Sequence, residues 1–152
     1  MLTADSIKND TSKIYSTQGG KKIFGGGGIS PDFFVAADTG RLDTTTTKLY
    51  YKGLLSDFGY LYILNNPAVG TTYKAAPQFN NGFTVSAADW NYFAQLALRD
   101  SINVNIVSEK EKAFISKTLK ASIARQLFRT EGYFEVMNAD DKAVQKALEI
   151  LK

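Results

Sequence analysis

The sequence predicts an α+β protein, mainly α. A small N-terminal antiparallel β-hairpin, extended to three strands, occupies residues 1–40, and a four- to five-helix bundle occupies residues 41–152. Three observations predict this. Before residue 40, apolar residues come in short runs separated by glycine, a strand-and-turn pattern. From Thr44 onward they recur with helical period. Two of the helical stretches open on Ser-x-x-acid motifs, Ser86 to Asp89 and Ser108 to Glu111, which cap helix N-termini.

The first run, Lys13-Ile-Tyr-Ser-Thr17, is followed by Gln18-Gly-Gly20 and then Lys21-Lys-Ile-Phe24. This reads as a hairpin in which Gly19 and Gly20 supply the positive φ of a tight turn. Four consecutive glycines follow, Gly25, Gly26, Gly27 and Gly28, framed by Ile23 and Phe24 before and Ile29 after. A flexible linker would not be flanked by β-formers. The glycines mark a backbone that takes positive φ or passes close to another backbone. After Ile29, Pro31 and Asp32, the run Phe33-Phe-Val-Ala36 predicts a third strand, with Phe33 and Val35 on one face.

Thr44–Thr47 cap a first helix over about 46–64, with Leu54, Phe58, Leu61 and Tyr62 on one side. Gly53 and Gly59 weaken it by about 1 kcal/mol each relative to Ala, and mark close packing or a kink. Residues 65–82, rich in Gly, Pro, Asn and Thr, read as a long loop. The second helix carries Trp90, Phe93, Ala94, Ala97 and Leu98 as an apolar stripe. The third has Ile115, Leu119, Ile123 and Leu127 as its spine, a bend at Thr130-Glu-Gly132, and a continuation through Tyr133–Met137. Asn138-Ala-Asp-Asp141 caps a last helix with Val144, Ala147, Leu148 and Leu151 on one face.

Composition narrows the chemistry. The chain has no His and no Cys. Imidazole bases, thiolate nucleophiles and Cys/His zinc sites are therefore excluded within it. No apolar run approaches the length of a membrane span. Net charge is +3. The basic residues between Arg99 and Arg129 alternate with apolar helix positions, so they read as a solvated helix face and not as a nucleic-acid surface.

Other candidate sites have stronger structural readings. The loop Gly25–Gly28 lacks the Gly-Lys-Ser/Thr ending and following helix of a phosphate cradle, so no nucleotide or other cofactor is expected. Ser16 and Lys22 could form a dyad only if burial stripped water from the lysine. Asp32 and Asp38 flank the predicted third strand and read as turn and strand-exit residues. Asp140 and Asp141 read as helix-start residues, and no metal site is expected. Tyr50, Tyr51, Phe58, Tyr60 and Tyr62 read as core packing, with exposed Tyr beyond that default marking an interface.

The segment Gly20-Lys-Lys-Ile-Phe-Gly-Gly-Gly-Gly-Ile-Ser-Pro-Asp-Phe-Phe-Val-Ala-Ala-Asp-Thr39 resembles the region just downstream of the catalytic core in C-terminal processing (tail-specific) serine peptidases, in their Bacteroidetes-type long form. Ala4–Lys8 and Tyr15–Thr17 extend the resemblance upstream. Gly53-Leu54 with Phe58 and Tyr62 extends it downstream, as do Ala124-Arg125, Tyr133-Phe134, Asn138 and Lys146–Leu148. Lys21 stands where Arg is usual, and Phe24 where Tyr is common. The motif residues Gly20, Gly25, Gly26, Gly27, Gly28, Ile29, Pro31 and Asp32 carry the resemblance in a structural role.

The resemblance implies a parent enzyme that binds the apolar tail of a protein substrate, partly through a PDZ domain. The parent cleaves by serine attack with a lysine base, both upstream of this segment. It implies that residues 1–40 belong to the end of the peptidase core and 41–152 form a helical scaffold, inactive alone. The expected partners are the upstream core and PDZ domain of the same polypeptide, and a second copy. The implied location is the periplasm or cell envelope. A different class of function is also open: a stand-alone helical interaction module whose hairpin offers an edge strand to a partner.

Overall fold

A hairpin opens the described chain. A computed structural model describes residues 10–20, 22–25, 33–36 and 42–151. Strand β1 spans Asp10–Ser16 and β2 spans Lys22–Gly25. They pair antiparallel, with Ile14 opposite Phe24, Tyr15 opposite Ile23 and Ser16 opposite Lys22, and a bulge between Asp10 and Ile14. The turn closes with the Gly20 N–H donating to the Thr17 carbonyl at 2.9 Å. Gly20 alone of the glycine pair takes positive φ, at 80°. The chain divides into two units, Met1–Gly40 and Arg41–Lys152.

The predicted third strand is not formed: residues 33–36 belong to no strand. β-propensity measures the fit of a side chain to a half-buried pleated surface, not a backbone preference. Phe33 and Phe34 are both exposed, so neither lies on the half-buried face that favours a strand. Gly26–Asp32 and Asp38 lie outside the described residues.

The second unit is helical, so the fold class is α+β, mainly α, with a two-strand hairpin at the N-terminus. Helix α1 spans Thr44–Tyr51 and α2 spans Leu54–Asn65, where the sequence predicts one helix. The break is Gly53, at φ 73°, which donates its N–H to the Tyr50 carbonyl at 3.0 Å. A left-handed glycine after the last helical turn is a stop signal. The N-cap is Asp43, one residue ahead of the predicted threonines, and accepts from the Thr45 N–H at 2.8 Å. Gly59 is a close-packing point: a Cβ there would stand 2.7 Å from the Ser122 backbone.

The predicted loop contains two short helices, α3 (Val69–Thr72) and α4 (Ala76–Gly82). Thr71 and Thr72 both donate their hydroxyls to the Ala68 carbonyl, and Pro77 suits the first turn of α4. Burial of Phe79 and Phe83, whose rings stack at 4.6 Å, overrides the polar composition.

Helix α5 spans Ala87–Arg99 behind a complete Ser86–Asp89 capping box. Trp90, Phe93, Ala94 and Ala97 are buried as the stripe predicts, but in the last turn Leu96 is buried and Leu98 exposed. Periodicity fixes the direction of a stripe, not its width. A 3₁₀ turn at Val104–Ile106 leads to α6, Glu109–Met137. Ile115, Leu119 and Ile123 are fully buried along α6.

The bend in α6 falls at Phe128 (φ −125°) and Arg129 (φ 56°, ψ −141°), just before the predicted site. Past the bend the chain packs back on α6 so closely that a Cβ on Gly132 would overlap the Ala124 carbonyl oxygen. Helix α7, Lys142–Ile150, is capped by Asp141, which accepts from Ala143 and Val144. Its apolar face stays uncovered: no α7 residue is buried, and Leu148 and Leu151 are exposed.

Candidate functional site

Three residues one or two turns apart, Thr118, Ser122 and Arg125, share a face of α6. Gly59 brings α2 against the backbone at Ser122, so Leu55 and Ser56, one turn earlier in α2, stand beside that face. The left-handed turn at Gly53 directs α1 away from the line of α2 and lets Tyr50 form a wall. The α6 bend returns Tyr133 to the same place. These residues line a cleft of about 340 Å³.

The Arg125 guanidinium lies over the Tyr133 ring, 5.6 Å from its centroid. An unbroken helix would set these residues about 12 Å apart along its axis. Among the described residues, Arg125 forms no ion pair and no hydrogen bond; the stacking contact alone holds it. Among the described residues, no carboxylate lines the cleft. Burial pushes the Tyr133 phenol above its ordinary value; the neighbouring Tyr50 adds to this, and Arg125 opposes it. Thr118 donates its hydroxyl to the Phe114 carbonyl at 2.9 Å. Among the described residues, the Ser122 hydroxyl has no such partner. Among the described lining residues, the hydroxyls, the amide of Gln126 and the cation equip the cleft to hydrogen-bond a polar ligand.

A second polar group braces the fold. Lys120 Nζ donates to the Asn80 carbonyl at 2.6 Å, and Asn80 Nδ2 donates to the Glu135 carbonyl at 3.2 Å. Lys117 donates to the Met137 carbonyl at 2.9 Å and pairs with Asp140. Lys112 sits over the Trp90 ring at 5.3 Å. The expectation of a plain solvated face is corrected for these three lysines, which tie the segment after the bend and α4 to α6, and α6 to α5.

The residues singled out in the sequence fall as follows. Ser16 and Lys22 are register partners in the hairpin, yet both are exposed, without the burial a lysine base requires. Gly20 holds the turn and Gly25 ends β2. Asp140 pairs with Lys117, and Asp141 is a helix cap. Of the aromatic group, Phe58 and Tyr62 are core, Tyr51 and Tyr60 are exposed, and Tyr50 lines the cleft. Sequence reading missed the cleft. Its only local signal was the α6 spacing of Thr118, Ser122 and Arg125; the contacts with α1, α2 and Tyr133 depend on two helix breaks. Among the described residues, no cluster of three metal-ligating side chains occurs, and no helix is long and apolar enough to cross a membrane.

No curated protein and no solved structure matches the chain. A family model does, over residues 45–129. The matched stretch begins in the first turn of α1 and stops at Arg129, in the α6 bend. It holds every cleft residue named above except Tyr133, and none of the hairpin or its glycine run. Covering more than half of the sequence, the match makes this chain a member of a family of unknown function, DUF8443.

Proposed function

We propose that this chain is the non-catalytic C-terminal segment of a carboxy-terminal processing serine endopeptidase. In this reading the parent cleaves protein substrates near their C-termini by a serine–lysine mechanism, in the periplasm or cell envelope. Residues 1–40 belong to the end of the peptidase core, and residues 41–152 scaffold it. The partners are the core and PDZ domain of the same polypeptide. The observation that carries the reading is the run Gly20–Thr39, with its Lys-Ile-Phe-Gly-Gly-Gly-Gly-Ile-Ser-Pro-Asp core. The hairpin supports it physically. Ile14, Tyr15 and Ile23 are 52%, 58% and 45% exposed on a two-strand ladder. A lone hairpin of that kind is marginal in water, and a covering surface stabilises it.

The open ladder edges also suit the second reading, a stand-alone helical interaction module that donates an edge strand to another protein. One experiment separates the two. An antibody raised against residues 41–152 captures the native polypeptide from its source, and peptide mapping reads what else that polypeptide contains. The peptidase reading expects peptides from a serine–lysine core on the same chain. A native polypeptide confined to these 152 residues would favour the interaction module instead.

A further inference from the structure

The cleft between α1, α2 and α6 raises a question separate from the peptidase reading: what would it hold? The Arg125 guanidinium carbon lies over the Tyr133 ring, 5.6 Å from its centroid. That contact leaves the in-plane N–H fork unused, and no described carboxylate or carbonyl takes it up. The fork matches a planar carboxylate in bidentate geometry. Arg125 is the only cation among the described lining residues, so the charge they can match is a single negative one.

The remaining walls describe the rest of the ligand. Ser56, Ser122 and Gln126 offer hydroxyl and amide groups that both donate and accept. Tyr50 gives an aromatic wall against which the apolar face of a ring can lie, and Leu55 is the one aliphatic side chain among the described lining residues. A volume of about 340 Å³ is at the small end for ligand pockets and suits one ring rather than a chain of them. An apolar acid would leave the hydroxyls and the amide unpaired on desolvation, which weakens binding.

We propose that this cleft is a binding site for a small hydroxylated monocarboxylate, a sugar acid, whose carboxylate pairs with the fork of Arg125 while its hydroxyls meet Ser56, Ser122 and Gln126. Tyr133 is a positioning residue, its ring lying against the guanidinium of Arg125.

The full chain, labelled with ¹⁵N, is titrated with sodium galacturonate, with neutral galactose and with sodium phosphate. Galacturonate is expected to shift the amides of Ser56, Ser122, Arg125 and Gln126 in a saturable manner. Galactose, lacking the carboxylate, should bind about tenfold more weakly or worse. Arg125→Gln should cost about tenfold or more in galacturonate affinity, and Arg125→Lys, which keeps the charge but not the fork, should recover only part of it. Arg125 is exposed, so both variants should keep the parent melting temperature. Should either unfold, the comparison of galacturonate with galactose on the unaltered chain still decides. No saturable shift, equal response to galactose, equal response to phosphate, or unchanged affinity in Arg125→Gln would each overturn the proposal.

Discussion

Gly59 of α2 lies against the backbone of Ser122 of α6, with room for a hydrogen but not for a methyl group. A Cβ there would stand 2.7 Å from both the carbonyl carbon and the carbonyl oxygen of Ser122, and 2.9 Å from its Cβ. The obstacle is backbone, which cannot swing aside. This contact sets the α2–α6 spacing, and with it the width of the cleft at Leu55 and Ser56.

Gly59→Ala is therefore expected to destabilise the helical unit although alanine is the better helix former. Overpacking costs about 1–3 kcal/mol, and the gain in propensity returns about 1 kcal/mol. Urea melts followed by circular dichroism should give a lower midpoint. A higher midpoint would mean that α2 and α6 do not approach closely at Ser122.

Arg129 sits in a backbone region that L side chains rarely enter, at φ 56° and ψ −141°. Such a residue stores about 1–3 kcal/mol, and glycine relieves it while adding about 0.5–1 kcal/mol of unfolded-state entropy. Arg129→Gly should raise the melting temperature. Gly132→Ala should lower it sharply, because its Cβ would meet the Ala124 carbonyl. Thermal unfolding of the two variants side by side checks the bend, and the same sign for both would contradict it.

Trp90 is only 7% exposed, packs on Phe93 with ring centroids 6.2 Å apart, and donates its indole N–H to Asn105 at 3.4 Å. Trp90→Ala should lose about 3–5 kcal/mol. A loss under about 1 kcal/mol, below the range for emptying any large core site, would place the α5 stripe outside the core.

Stability should fall in alkali. Burial raises the phenols of Tyr62 and Tyr133; Asp89 and Tyr73 add to the first, and Tyr50 to the second. Their folded values lie above the ordinary 10.0, so between the two values the unfolded chain has released protons that the folded chain retains. The contribution is fully present below pH 10.0 and is lost as pH rises through the folded values. Lys120 acts in the opposite sense. Burial lowers its value, so its unfavourable contribution fades as pH rises toward 10.5. Denaturant melts of the parent and of Tyr62→Phe across that range should show a shallower alkaline decline in the variant. Identical declines would mean that Tyr62 ionises as freely folded as unfolded.

Much of the fold was legible because its signals are local. The Ser86–Asp89 box, the Trp90–Phe93–Ala97 stripe and the Ile115–Leu119–Ile123 spine are fixed within a few residues of one another, and each stands in the structure as written. What failed depended on distant partners. Residues 33–36 have strand-like side chains but belong to no strand. The 65–82 segment has loop composition, but its Phe79, with Phe83 just beyond it, enters a core built from elsewhere in the chain. The stripe of α7 is written clearly in Val144 and Leu148, but a pattern cannot say whether anything covers it. The cleft was illegible for the same reason: Arg125 and Tyr133 meet only because Arg129 turns the chain back.

The proposed peptidase origin places the serine and lysine of the reaction outside residues 1–152. The most direct measurement compares cleavage of one protein substrate, near its C-terminus, by the captured native polypeptide and by the 152-residue chain alone. Turnover is expected from the native polypeptide and none from the 152-residue chain. Turnover by the chain that survives repurification and disappears on a serine-to-alanine change such as Ser16→Ala would contradict it.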